Sequence, residues 1–151
     1  MTDHCFTCGS RRQFLSQALG IVAGIALPVR EAIAVASGSE RRYPVPAADG
    51  VTIDRGAQVV LVRHQMRAYA FALACPHQNT ALKWLPKDGR FQCPKHDSRY
   101  QPDGAFVSGH ATRSMDRFAI RREGEALVVD AARWFQSDRQ AAEWAAARVD
   151  L

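Results

Sequence analysis

Two short stretches constrain this chain more than anything else in it: Cys75-Pro76-His77 and Cys93-Pro94-Lys95-His96, with fifteen residues between His77 and Cys93. Each offers one thiol and one imidazole, ligand types that serve zinc or an iron–sulfur centre. A zinc finger opens with two cysteines and closes with two histidines on a helix. Here the order alternates, and Pro94 with Asp97-Ser98 disfavours a helix around the second pair. Alternation suits a [2Fe–2S] cluster to which each loop hands one ligand per iron. Cys75 and Cys93 then serve one iron, and His77 and His96 the other. Zinc held by the same four side chains is the alternative chemistry.

From Ala74 to Ala111 the chain reads C-P-H-Q-N-T, then C-P-K-H-D-S-R-Y, then P-D-G and G-H-A. This stretch resembles the Rieske iron–sulfur family. The resemblance implies an all-β fold: an antiparallel β-sandwich with a cluster-binding subdomain. It implies a Rieske-type [2Fe–2S] cluster, with electrons leaving through the outer histidines, where quinol docks in the cytochrome bc members. Ser98 and Tyr100 stand where higher-potential members carry hydroxyl donors to the cluster sulfurs. Some positions depart from the family pattern. Thr80 and Lys95 replace the cysteines of an extra disulfide between the two loops, so that bridge cannot form. Asp97 stands where glycine is usual. The Gly-Pro-Ala covering loop appears as Gly109-His110-Ala111, with His110 read as a cap over the site and not a further ligand. These departures speak against an ordinary quinol-oxidising subunit.

The first 36 residues read as a targeting segment. Ser10-Arg11-Arg12-Gln13-Phe14-Leu15 resembles the twin-arginine export motif, and an apolar stretch from Ala18 to Val29 ends at Arg30-Glu31. Ala34-Val35-Ala36 follows as a small-residue cleavage signal. The apolar stretch is shorter than the roughly 20 residues that span a bilayer, which favours a cleaved leader over a retained membrane anchor. An export route for folded proteins suits a cluster assembled in the cytoplasm, so the expected location is the periplasm or the periplasmic face of the membrane. Cys5 and Cys8 lack the histidine at position 9 that haem attachment needs. They read as an incidental pair within the leader.

Beyond it, 37–50 reads as a linker, 51–135 as the domain and 136–151 as a C-terminal helix. Val59-Val60-Leu61-Val62 and Tyr69-Ala70-Phe71-Ala72-Leu73 predict a hairpin that delivers the chain into the first Cys/His loop, with His64 a solvent-facing turn residue. Pro86-Lys87-Asp88-Gly89 predicts a turn joining strands on either side, which brings both Cys/His pairs to one end. Pro102-Asp103-Gly104 predicts a second turn, and Glu123-Gly124-Glu125 a last hairpin. Ser137 with Gln140 fits a capping box opening a helix to about Val149 that packs Trp144 on the domain.

The formal net charge of +5 comes from scattered basic residues, mostly arginine, without a run of nucleic-acid type. A solvated basic surface, able to steer the protein toward an acidic partner, accounts for it better than nucleic-acid binding. Nothing resembles a catalytic acid/base pair, a nucleophile or a nucleotide loop. The reading is an exported one-electron carrier, an electron-transfer subunit of an oxidoreductase and not a catalytic chain by itself. Its expected partners are a c-type cytochrome or an oxidoreductase large subunit, with quinol as a further candidate. The rivals are the small Rieske subunit of a periplasmic oxidoreductase of the arsenite oxidase type or of a quinol–cytochrome complex, an oxygenase ferredoxin, and a structural zinc module.

Overall fold

The computed structural model describes residues 38–151; the expected leader and the Cys5/Cys8 pair lie outside them. Eleven strands and one helix follow in order: β1 Glu40–Pro44, β2 Gly50–Asp54, β3 Val59–His64, β4 Arg67–Ala72, β5 Lys83–Leu85, β6 Arg90–Gln92, β7 Arg99–Tyr100, β8 Phe106–Ser108, β9 Arg117–Glu123, β10 Ala126–Phe135, α1 Ala141–Ala146 and β11 Val149–Asp150. The pairings are antiparallel throughout. The all-β expectation with a short C-terminal helix holds.

The continuous apolar runs of β3 and β4 explain the layering. Side chains on a strand alternate between faces, and here both faces are buried. Val59, Leu61, Ala68 and Ala70 enter one core, with Phe118, Leu127 and Val129. Val60, Val62, Tyr69 and Phe71 enter a second, with Leu73, Phe91, Tyr100 and Met115. The larger sheet runs β1-β10-β9-β4-β3-β2, with β11 added to β4. It curls until its two edges meet: the Tyr43 hydroxyl on β1 donates to Oδ2 of Asp54 on β2 at 3.0 Å. The smaller sheet, β5-β6-β7-β8, packs Trp84, Phe91, Tyr100 and Phe106 against the second core.

The structure differs from the sequence reading at four places. The segment read as a linker supplies β1, which pairs with β10 from Glu40↔Asp130 to Pro44↔Ala126. The helix is six residues long, has Gln140 and not Ser137 at its N-cap, and carries no side-chain cap bond; Ser137 Oγ instead accepts the backbone N–H of Ser114. The chain then extends, and Val149 and Asp150 pair with Ala68 and Arg67. His64 ends β3 and is half-buried, its Nδ1 4.0 Å from Asp49 Oδ2, while Gln65 and Met66 make the turn with positive φ.

Trp144 does pack on the domain. Its indole N–H donates to the Met115 carbonyl at 2.8 Å, and its ring lies 3.6 Å from the guanidinium of buried Arg117. Phe135 is buried and Trp134 exposed.

Candidate metal centre

The expected hairpin of β5 and β6, in register from Lys83↔Gln92 to Leu85↔Arg90, joins the two Cys/His loops. Each loop closes in the same way. Cys75 N–H donates to the Thr80 carbonyl at 2.8 Å, and Asn79 N–H returns to the Cys75 carbonyl at 2.9 Å. Cys93 N–H donates to the Ser98 carbonyl at 2.8 Å, and Asp97 N–H returns to the Cys93 carbonyl at 3.1 Å. The returning residue has left-handed backbone in both, with φ 53° at Asn79 and 52° at Asp97. Glycine adopts that conformation freely, and Asn and Asp tolerate it better than most residues. Asp97 is therefore no obstacle, and its Oδ1 accepts the side-chain amide of Gln92 at 2.8 Å.

The repeated loop places like residues together. Cys75 and Cys93 are buried, unbridged thiols at the loop starts. His77 and His96 are half-buried, with ring centroids 4.9 Å apart. The Nδ1 atom of each is buried without a hydrogen-bond partner. A buried polar atom left unpaired is costly and calls for an explanation; a metal bound at each Nδ1 would supply it. No three or more His, Cys, Asp or Glu side chains among the described residues are set around a single ion position. The four side chains instead form two pairs: thiols within the core, imidazoles toward solvent. That donor set fits a cluster with thiolates on one iron and imidazoles on the other. Burial first, then the neighbouring His77, His110 and Lys95, holds the His96 imidazole below its usual pKa. This favours the neutral form that a ligand must present.

The hydroxyl pair lies within the same end of the domain. Tyr100 is fully buried with its OH 3.3 Å from Cys75 Sγ. Burial first, then the contact with Cys75, pushes its phenol well above the ordinary range, so the hydroxyl keeps its hydrogen to donate. Ser98, also fully buried, accepts the Ala111 N–H at 3.0 Å through Oγ and keeps its own hydrogen for another acceptor.

Ala111 belongs to a third loop that lies over the second. Gly109 has φ 112°, and a Cβ there would stand 2.4 Å from the Ser98 Cα, so only glycine allows this approach. His110 is exposed and donates from Nδ1 to the His96 carbonyl at 3.2 Å. Its ring centroid is 5.7 Å from His77 and 5.3 Å from His96. His110, expected as a cap, thus lies against both imidazoles. Sequence reasoning missed Gln92, which holds Asp97, because a neutral residue one place before a cysteine carries no signal of its own. Thr80 and Lys95 take the extra-disulfide places, Thr80 serving its loop through its carbonyl.

A family model for the Rieske [2Fe-2S] domain matches residues 40–127. Carotenoid phi-ring synthase of Chlorobaculum tepidum is 32% identical over 95 residues, covering 63% of this chain and 15% of that protein. Cytochrome b6-f complex iron-sulfur subunit 3 of Nostoc sp. is 51% identical over 37 residues, 24% of this chain and 21% of that protein. The corresponding subunit of Chlorobaculum thiosulfatiphilum is 24% identical over 75 residues, 50% of this chain and 41% of that protein. The matches thus span less than half the length of each of these relatives. Among solved structures, the cyanobacterial plasma membrane Rieske protein PetC3 from Synechocystis PCC 6803 has a TM-score of 0.45 at 22% identity, covering 52% of this chain and 82% of that one.

Proposed function

The chain belongs to the Rieske [2Fe–2S] family and is an iron–sulfur electron-transfer protein; from that premise we propose that it carries single electrons outside the cytoplasmic membrane, as a subunit of, or donor to, a respiratory or periplasmic redox complex. Cys75 and Cys93 would hold one iron as thiolates, and His77 and His96 the other through Nδ1. The observation that carries this assignment is the pair of buried, unpartnered Nδ1 atoms on two half-buried imidazoles, above two unbridged thiols. When bound, the cluster supplies reversible one-electron storage, at a potential raised by its neutral ligands. The chain's own residues do the rest. The paired loops fix the four ligands, Tyr100 and Ser98 bring hydroxyls to the buried side, and the imidazoles bring the site toward solvent, where a partner can reach it.

The partner is a c-type cytochrome or the large subunit of an oxidoreductase. The places of the extra disulfide are filled by Thr80 and Lys95, which supports a soluble or peripheral carrier over a quinol-oxidising subunit. Residues 1–36 act as the export leader, with retention as an anchor the other fate of that segment.

Elemental analysis and electron paramagnetic resonance of the purified protein test the cofactor assignment. Two irons and two sulfides per chain are expected, with the low average g of mixed nitrogen–sulfur ligation on reduction. His77→Ala and His96→Ala should each lose or transform that signal. Stoichiometric zinc without iron, in protein made alongside cluster-assembly machinery, would defeat the assignment. For location, changing Arg11 and Arg12 together to lysine should hold the protein in the cytoplasm; export unaltered by that change would remove the twin-arginine reading.

A further inference from the structure

The cluster end leaves its cations unneutralised, while the large sheet pairs most of its own. Arg42, Arg67 and Arg121 of the large sheet meet Glu123, Asp150 and Glu40. In the small sheet Arg90 is paired, with Asp88 at 3.0 Å. Lys83, Lys95 and Arg99 are exposed and form no ion pair among the described residues.

The strand register gathers these free charges. Lys83 is opposite Gln92, Gln92 opposite Arg99, and Arg99 opposite Ser108, one cross-strand row through all four strands. Directly opposed residues stand on the same face of a sheet. The neighbouring row, Trp84, Phe91, Tyr100 and Phe106, is turned to the core, so the Lys83–Ser108 row faces outward. It is also the row nearest the site, for Gln92 precedes Cys93 and Arg99 follows Ser98. Lys95, exposed beside His96, adds a third cation. Asp97 shares a cleft with Lys83. Lys83, Leu85, Gln92, Pro94 and Asp97 line a shallow cleft of 280 Å³ on this face, and Val107 stands 52% exposed next to Ser108. Apolar contact inside a charged, wet rim is the usual anatomy of a transient protein interface.

We propose that this face, with Lys83, Lys95 and Arg99 around the Leu85–Pro94 cleft, is the docking surface for an acidic redox-partner protein. The inference deepens the electron-carrier reading and rests on it. Complementary charge speeds encounter more than it tightens binding, which suits a carrier that must let go. A protein partner is favoured over an anionic membrane surface because the face lies against the two ligand loops, where electron exchange requires close approach.

The test uses the purified full-length holoprotein, reduced anaerobically and mixed in stopped flow with two acceptors: an acidic plastocyanin and a basic mitochondrial cytochrome c. The acidic acceptor should react faster and slow steeply between roughly 10 and 200 mM ionic strength. The combined variant Lys83→Gln, Lys95→Gln, Arg99→Gln should slow that reaction at least about fivefold at low salt, without slowing the basic acceptor. Its electron paramagnetic resonance signal should remain that of the parent. A control variant, Arg55→Gln, Arg133→Gln, Arg139→Gln, removes equal charge elsewhere and should leave the rate within about twofold.

An equal fall in both variants would reduce the effect to net charge and overturn the docking face. So would an unchanged rate in the first variant, or loss of binding to vesicles of anionic phospholipid with no change in either electron-transfer rate. A protein with a reducible cluster but no acceptor preference loses only this inference. A protein with no reducible cluster loses the electron-carrier reading as well.

Discussion

The phenol oxygen of Tyr100 lies 3.3 Å from the Sγ of Cys75, with both side chains shut off from solvent. A hydrogen bond to a ligand sulfur stabilises the more electron-rich reduced state. If it is worth about 1–2 kcal/mol more there, the one-electron potential rises by about 40–90 mV. Tyr100→Phe should lower the potential by that amount and keep the cluster, since the ring still fills the core against Phe106. Protein-film voltammetry decides it, and a shift below roughly 10 mV would leave the contact without a tuning role.

Ser98→Ala should behave differently. Its Oγ accepts the N–H of buried Ala111, so truncation strands a buried donor as well as removing the hydroxyl that hydrogen-bonds Tyr100. A stability loss of about 1–3 kcal/mol should accompany the fall in potential. Chemical denaturation of both variants separates them; equal stability would deny Ser98 its part in holding the third loop.

Gly109 and Gly124 both have positive φ, yet they should respond unequally to alanine. At Gly124 a Cβ meets nothing within 4 Å, and the cost is the left-handed backbone alone, about 1 kcal/mol. At Gly109 the same atom runs into the Ser98 backbone and the Asp97 carbonyl. The third loop must lift off the second, which costs about 3 kcal/mol or more and opens the site to water. Melting temperature and iron content should both fall in Gly109→Ala, whereas Gly124→Ala should lose only a little stability and no iron.

What the sequence made legible was local. The paired Cys/His stretches could be read because a metal needs its ligand types at short spacing, and the turn at Pro86–Gly89 because proline and glycine name their own backbone angles. The runs of β3 and β4 showed buried strands, but only the register reveals that Val60 and Val59 serve different cores. The turn between them was harder. Gln65 and Met66 take positive φ without the Asn-Gly chemistry that usually marks such a turn. The strand Glu40–Pro44 was hidden by its proline and charges, since its partner, β10, lies about 85 residues away. Ser137 carried a valid capping pattern, yet the Ser114 N–H took its hydroxyl. The free cations Lys83 and Arg99 become neighbours only through Gln92, so no linear pattern joins them.

Arg117 and Trp144 fasten the C-terminal segment to the domain. One guanidinium nitrogen donates to the Trp144 carbonyl at 2.8 Å and the other to the Asp103 carbonyl at 2.6 Å, with the Trp144 ring stacked on the cation. Burial pulls its pKa down to about 10, so the side chain remains charged at neutral pH. Arg117→Ala should cost about 2–4 kcal/mol, because two part-buried carbonyls lose their donor and the aromatic stack loses its cation. A double-mutant cycle with Trp144→Ala should return a coupling of about 1–2 kcal/mol. Additive effects would mean that the helix is held by something other than this stack.

The Tyr43–Asp54 bond that closes the large sheet should show itself in the pH dependence of stability. Asp54 is held below the usual carboxyl range, first by the Ala57 N–H and then by the Tyr43 hydroxyl. A depressed carboxyl contributes stability above its unfolded value of 3.8, and loses it as pH falls through the folded value. Tyr43 is moved the other way, from 10.0 to about 12, first by burial and then by Asp54. Its folded form keeps a proton that the unfolded chain gives up, so this contribution is complete below pH 10 and disappears as pH rises toward 12. Tyr43→Phe should therefore lower the melting temperature at neutral pH and flatten its decline on the alkaline side. Asp54→Asn should flatten the acid side more than Tyr43→Phe does, because the Ala57 N–H remains to hold the carboxylate in the tyrosine variant. Melting followed by far-ultraviolet circular dichroism across the pH range checks both limbs. An alkaline limb in Tyr43→Phe as steep as the parent's would show that the two edge strands are held together without this bond.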